Sequence, residues 1–149
     1  MTTEPRVQYA ALPYRQEGGT IEILLVTSLG TKRWIIPKGW PMDGRAPHEA
    51  AAREALEEAG VVGEVASEAI GSYRYEKRRK SGASVPCNVD VFPLDVGTQR
   101  KRWPEKGRRE VKWFPPEEAA DTVSDADLRG IILDWTRRLR PSEASDEPE

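Results

Sequence analysis

The sequence has few of the residues from which disulfide frameworks and zinc sites are built. Its 149 residues include one cysteine, Cys87, and one histidine, His48. A single cysteine excludes an intrachain disulfide, and these two residues cannot form a Cys/His zinc cluster. We therefore expect a protein of a reducing compartment, the cytoplasm.

Long apolar runs are also missing. The longest run near the N-terminus, IEILLV, contains a glutamate, whereas a helix that spans a bilayer needs about 20 mainly apolar residues. The first residues, MTTEPRVQ, lack the apolar core of a signal peptide. We expect no membrane segment, and the length suits one domain with its own core.

Charge is abundant but unevenly distributed. The segment 141–149, PSEASDEPE, carries four acids and no base, and removing them from the net charge of −2 leaves +2 for residues 1–140. Segments 72–80, SYRYEKRRK, and 100–109, RKRWPEKGRR, hold five and six bases. These basic segments indicate an anionic partner. We expect residues 1–140 to form the domain and residues 141–149 a disordered acidic tail.

The apolar periodicity predicts the order strand, strand, strand, helix, strands, helix. The turn residues Gly18 and Gly19 join the first two strands as a hairpin, and a loop rich in glycine and proline covers residues 38–47. A helix begins at Pro47 and ends at Gly60. The remaining predicted elements are strands at 7–15, 21–28, 33–37, 61–77, 84–96 and 109–114, and a helix at 125–140.

The predicted helix 47–60 gathers carboxylates at one end. Glu54, Glu57 and Glu58 lie within five positions, and at about 100° per residue they share one face. Like charges at this spacing destabilise a helix, and Arg53 relieves only part of the repulsion. Mg²⁺ would relieve it better, because it takes oxygen ligands and usually keeps water and substrate phosphate. Taken alone, the triplet fits a solvated acidic face better.

The residues upstream change this interpretation, because segment 39–61 resembles the Nudix box. That signature runs Gly, five residues, Glu, seven residues, Arg-Glu-aliphatic-x-Glu-Glu-x-Gly-aliphatic. The resemblance implies an α/β/α sandwich with a central mixed β-sheet, and hydrolysis of a diphosphate that depends on Mg²⁺ or on Mn²⁺. The residues in register are Gly39, Arg53, Glu54, Glu57, Glu58, Gly60 and Val61, with Ala55 in an aliphatic position.

One position departs from the signature. Arg45 stands where the family has its first glutamate, which is usually regarded as a support for the loop-helix geometry. The departure therefore bears on the rigidity of the loop more than on catalysis. Glu49, one helical turn further on, is a candidate to compensate, although an exposed helix residue explains it equally well.

The resemblance also implies roles for the box residues. Glu57 and Glu58 are the expected principal metal ligands, and Glu54 is a third ligand or the base that deprotonates the attacking water. Gly39 offers a backbone carbonyl to the metal. Arg53 is expected to orient a glutamate through a charge-assisted hydrogen bond.

The family often uses a further acidic residue outside the box, on a late strand or loop. Glu110, just before VKWF, is our first choice, and Glu105 is the second. A surface charge explains either residue equally well.

The stretch RWIIPKGWP resembles the branch related to diphosphoinositol polyphosphate and diadenosine polyphosphate phosphohydrolases. The density of positive charge around it suits a small molecule with many phosphates more than a nucleotide sugar with two. A basic solvated loop remains the alternative for the segment SYRYEKRRK. The expected substrate-binding residues are Arg33, Lys38, Trp40, Arg74, Lys77, Arg78 and Arg79.

Two other functions stay open. The chain could hydrolyse a different nucleoside diphosphate derivative, or bind a nucleotide as a sensor without cleaving it. Retention of Glu54, Glu57 and Glu58 favours the enzyme. Nucleic-acid binding ranks well below both, because few aromatic residues are interleaved with the basic segments and no nucleic-acid motif is present.

Overall fold

The computed structural model describes residues 5–79 and 81–140, which form one eight-stranded mixed sheet with helices on both faces. Its order is β3-β2-β1-β7-β5, with β4 paired to β1, β6 to β7 and β8 to β2. Strands β1 and β7 run parallel, and the other pairs are antiparallel. The strands are β1 Arg6–Glu17, β2 Thr20–Thr27, β3 Trp34–Ile35, β4 Lys38–Gly39, β5 Val61–Val65, β6 Gly71–Arg78, β7 Ser84–Gln99 and β8 Val111–Phe114.

Three helices cover the sheet: α1 Pro47–Ala59, α2 Pro116–Thr122 and α3 Ala126–Leu139. Ala51 and Ala55 of α1 belong to one buried apolar cluster, whereas Leu128 and Ile132 of α3 belong to another. Neighbouring residues of β1 divide between them, because successive strand side chains point to opposite faces. The predicted α/β/α sandwich is therefore confirmed. No helix in the described ranges is long and apolar enough to cross a bilayer.

The first hairpin follows from its two glycines. Gly18 and Gly19 have φ of 57° and 85°, the left-handed conformation that a two-residue hairpin turn requires. The hairpin predicted around them is confirmed, with Glu17 opposite Thr20.

Helix α1 also begins and ends where the sequence predicts. Pro47 occupies its first turn, and Gly60 follows its last residue with φ of 75°. The Gly60 N–H donates to the carbonyl of Leu56 at 3.0 Å, which closes the helix. Small side chains at every fourth position, among them Ala51 and Ala55, bring the helix close to the sheet.

Three parts of the prediction were wrong in detail. Lys38–Gly39, assigned to a loop, forms β4 because it pairs with Tyr9 and Ala10 of β1. Residues 61–77, assigned to one strand, form β5 and β6, which both pair with β7. The short helix α2 was not predicted. The expected tail, 141–149, lies outside the described residues.

Candidate functional site

A cavity of about 650 Å³ lies between α1, β4, β6 and the segment that follows β7. Acidic and basic residues both line it. Of the predicted substrate-binding residues, five line it: Arg33, Lys38, Trp40, Lys77 and Arg78. Of the predicted metal and catalytic residues, three line it: Gly39, Glu54 and Glu58.

Glu58 is the buried acid of this cavity. It is 3% exposed, and within the described part of the chain its Oε1 has no hydrogen-bond partner. Burial raises the pKa of Glu58 to about 9, against the opposing effect of the Arg109 guanidinium. Burial also raises the pKa of Glu54, and the nearby carboxylates of Glu57 and Glu105 add to the rise. Among the described residues, the one ion pair that these two carboxylates form is the long contact of Glu58 with Arg109.

Gly39 brings backbone to this pair. A Cβ added to Gly39 would overlap the carboxylate of Glu54, so any other residue here would displace that carboxylate. Pairing of β4 with β1 holds the Gly39 backbone in place. Carboxylate and peptide oxygens are the donors that Mg²⁺ takes, and Glu58 Oε1, which has no hydrogen-bond partner among the described residues, is free to be such a donor. These residues therefore fit a divalent metal ion.

Glu57 lies differently from the expected cluster. Its Oε2 accepts a hydrogen bond from Arg53 Nε at 2.7 Å, and neither residue lines the cavity. Across residues 5–79 and 81–140, no three Asp, Glu, His or Cys side chains converge in a metal-binding arrangement. The expected three-glutamate cluster is thus not assembled, because the salt bridge one turn apart turns Glu57 aside. Its role as a ligand stays a prediction and requires it to turn away from Arg53.

The segment after β7 supplies another acid, Glu105, and a largely buried base, Arg109. Arg109 is bound on two sides: Nε donates to Glu105 Oε1 at 2.9 Å and Nη1 donates to the Thr27 carbonyl at 3.0 Å. Its Nη1 lies 3.9 Å from Glu58 Oε1. Glu105 lines the cavity, whereas Glu110 is exposed and does not. The structure therefore places Glu105, the second choice, near Glu58, and Glu110, the first choice, outside the cavity.

Two of the basic residues are held in defined positions. Arg33 Nε donates to Thr31 Oγ1 at 3.2 Å, in the loop between β2 and β3. Lys38 is partly buried, and burial lowers its pKa to about 8. Glu58 opposes this shift, while Lys77 adds to it.

A basic pocket of about 450 Å³ adjoins the cavity and shares Trp40, Lys77 and Arg78 with it. Arg79 lines this second pocket together with Arg6. Arg6 was not predicted as a site residue, because it reaches the site through the parallel pairing of β1 with β7. The predicted ligand residue Arg74 is exposed and lines neither pocket.

Other residues of the cavity were not singled out from the sequence. Gln8 and Tyr75 line it next to Lys38, and Arg109 lines it beside Glu58. Gln8 interrupts the largely apolar stretch 7–13 of β1, and a polar residue in such a stretch is the one signal that could have identified it.

A separate cavity of about 630 Å³ lies on the other side of α1, against β5. It contains Arg45, Glu49 and Arg53, and neither Glu54 nor Glu58. Arg45, the residue that departs from the signature, is therefore directed away from the carboxylate pair.

Comparisons with known proteins agree with this geometry. The NUDIX domain matches residues 4–135. Nudix hydrolase 21 of Arabidopsis thaliana, a chloroplastic protein, is 36% identical over 85% of this chain and 64% of its own length. Diphosphoinositol polyphosphate phosphohydrolase 3-alpha of Mus musculus is 32% identical over 74% of this chain and 64% of its own. The chain thus spans less than two thirds of these relatives.

Solved structures show the same fold. The Ap4A hydrolase of C. elegans superimposes with a TM-score of 0.65 at 20% identity, over 91% of this chain and 99% of that one. Because the NUDIX match covers most of the sequence and the box residues stand in register, the chain belongs to the Nudix family.

Proposed function

We propose that this protein hydrolyses a phosphoanhydride bond in a highly phosphorylated small molecule, with a divalent metal ion as cofactor. The observation that carries the proposal is the composition of one cavity. Glu54 and Glu58 line it near the Gly39 backbone, together with basic residues that include Lys38 and Arg109. The metal ion would be Mg²⁺, with Mn²⁺ as the second candidate.

Protein groups would bind the metal ion and neutralise charge on the phosphate. Glu58, Glu54 and the Gly39 carbonyl would hold it, and Glu57 would join them after leaving Arg53. A bound metal polarises a phosphoryl oxygen and lowers the pKa of water. Arg33, Lys38 and Arg109 would neutralise the charge that develops on the phosphate oxygens. Glu105 is our candidate for the acid outside the box, in preference to Glu110.

The adjoining basic pocket supports a substrate with more than two phosphates. Arg6, Lys77, Arg78 and Arg79 add positive charge beyond the carboxylate pair, where the distal phosphates of a long substrate would lie. Trp40, at 38% exposure, lies between the two pockets. Diphosphoinositol polyphosphates and dinucleoside polyphosphates carry such extra phosphates. The names of a relative and of a solved neighbour refer to these two classes.

A sensor that binds without cleaving is the second candidate. It is favoured by the pairing of Glu57 with Arg53, which holds one expected ligand away from the cavity. For either function we propose a small-molecule ligand rather than a nucleic acid, and a cytoplasmic location. A gel shift that persists at high salt would contradict the first point.

One experiment separates these alternatives. The purified protein is incubated with Mg²⁺ and a panel of diphosphoinositol phosphates, dinucleoside polyphosphates, nucleoside triphosphates and nucleotide sugars, and products are resolved by phosphorus NMR. Running the reaction in ¹⁸O water marks the phosphorus that water attacks. Cleavage of nucleotide sugars alone would contradict the polyphosphate assignment, and binding without any product would establish the sensor.

A further inference from the structure

The ammonium of Lys38 lies over the aromatic ring of Tyr75, with Nζ 4.6 Å from the ring centroid. Lys38 belongs to β4 and Tyr75 to β6, and these strands pair with different neighbours, β1 and β7. The sheet ladder therefore does not force the contact. It is made by the two side chains alone, inside the candidate cavity.

The position of Tyr75 is fixed by a hydrogen bond on the side of the ring that carries its hydroxyl group. Its hydroxyl donates to Gln8 Oε1 at 2.7 Å. Gln8 is 3% exposed and lies on the central strand β1. The two residues are two strands apart, since Tyr75 pairs with Cys87 of β7, and β7 pairs with β1. A buried amide is costly without a hydrogen-bond partner, so this bond ties the ring to the rigid centre of the sheet.

The kind of partner matters for Lys38. In the described part of the chain Lys38 forms no salt bridge. A carboxylate partner would hold the ammonium but would also neutralise it. A neutral ring attracts the cation through its quadrupole and leaves the positive charge for another anion. It also restricts a side chain that is otherwise flexible.

We propose that Tyr75, anchored by Gln8, is a positioning residue that holds the Lys38 ammonium in place to bind a phosphate oxygen of the substrate. The inference rests on the proposed function and extends it, because it assigns roles to Tyr75 and Gln8. Tyr75 acts through Lys38, so its effect must vanish when Lys38 is absent.

The test is a double-mutant cycle on the binding of inorganic tripolyphosphate, measured by calorimetry without metal. Lys38→Met and Tyr75→Leu should each weaken binding by about threefold to thirtyfold, the range expected for a cation on an aromatic ring. The double variant should bind no more weakly than Lys38→Met alone. Tyr75→Phe keeps the ring but removes the hydroxyl that donates to Gln8, so its affinity should lie between those of the wild type and Tyr75→Leu.

Arg79→Ala is the matched control. Arg79 is four residues further along the chain from Tyr75, about 13 Å away if the strand geometry continues. Its effect should therefore add to that of Tyr75→Leu. Additivity between Tyr75→Leu and Lys38→Met, or failure of the wild-type protein to bind tripolyphosphate, would overturn the proposal.

A spectroscopic measurement tests the contact between Lys38 and Tyr75 without using the Tyr75→Leu variant. Protons on the Lys38 ε-carbon, close to the ring face, should be shifted upfield in spectra of the ¹³C-lysine-labelled wild type and Tyr75→Phe. An unshifted Lys38 signal in the wild type would overturn the contact itself. If the double-mutant cycle shows coupling between Tyr75 and Lys38 but no substrate of the panel is cleaved, the positioning role stands and the proposed hydrolysis fails.

Discussion

Replacing Glu58 by glutamine should make the metal-free protein more stable, and increasingly so as the pH rises. The pKa of Glu58 is raised from 4.5 to about 9, so between these values the folded state holds a proton that the unfolded state has released. The contribution of Glu58 to the free energy of unfolding is fully present below pH 4.5 and is lost as the pH rises towards 9. The loss is about 1.4 kcal/mol per pH unit.

The magnitude is large enough to measure. Between pH 6 and pH 8, inside this window, the wild type should lose about 3 kcal/mol relative to Glu58→Gln, or about 5–10 °C in Tm for a domain of this size. Because Glu58 is 3% exposed, solvent screens this effect little. The assay is thermal unfolding in the presence of a chelator, at pH 6, 7 and 8.

Mg²⁺ should reverse the trend, because it binds the ionised carboxylates. It should raise the Tm of the wild type more at pH 8 than at pH 6, and that of Glu58→Gln little at either pH. Glu64→Gln, an exposed acid of β5 outside the cavity, is the control and should follow the wild type. Parallel curves for Glu58→Gln and the wild type would refute the reasoning.

Four further changes test the site. Glu57→Gln should lower turnover about a hundredfold or more at saturating Mg²⁺; near-normal turnover would remove Glu57 from the ligand set. Arg45→Glu should keep turnover within a few-fold, and a gain of several orders of magnitude would show the natural protein to be a crippled hydrolase. Replacing Arg78 and Arg79 by alanine should raise KM more for substrates with more phosphates. This rise in KM should be smaller at high salt, because exposed charges are screened beyond roughly 10 Å at 0.1 M salt. The pKa of Lys38 is about 8, so its charge is lost as pH rises and KM should increase above pH 8; Lys38→Arg should abolish that increase in a KM–pH profile.

The sequence was informative where local chemistry decides the structure. Gly18 and Gly19 specify a tight hairpin turn, and Pro47 and Gly60 mark the two ends of α1. These signals act within a few residues of themselves. Strand β4 was missed because Lys38–Gly39 is extended only through pairing with β1, about thirty residues earlier in the chain, and no local pattern of two residues records such a partner.

The same distinction applies to the candidate site. The carboxylates of α1 share a register that the sequence shows directly, so Glu54 and Glu58 could be named. Arg109 and Gln8 could not, because one reaches Glu58 through the segment after β7 and the other through the strand order of the sheet. A hydrogen bond from Arg53 to a glutamate was expected, but not that it would hold Glu57 outside the cavity. The same helical spacing allows either a salt bridge or a shared metal.

The departure at Arg45 is compatible with the proposed hydrolysis because the loop-helix junction is supported by other bonds. The Arg45 N–H donates to the Met42 carbonyl at 3.1 Å, which closes a turn before the helix. The Ala46 N–H donates to Glu49 Oε1 at 2.8 Å. A carboxylate in the first helical turn also interacts favourably with the positive end of the helix dipole. Glu49 thus supplies support at the junction where the signature glutamate is missing, while Arg45 lines the separate cavity and not the one that contains Glu58.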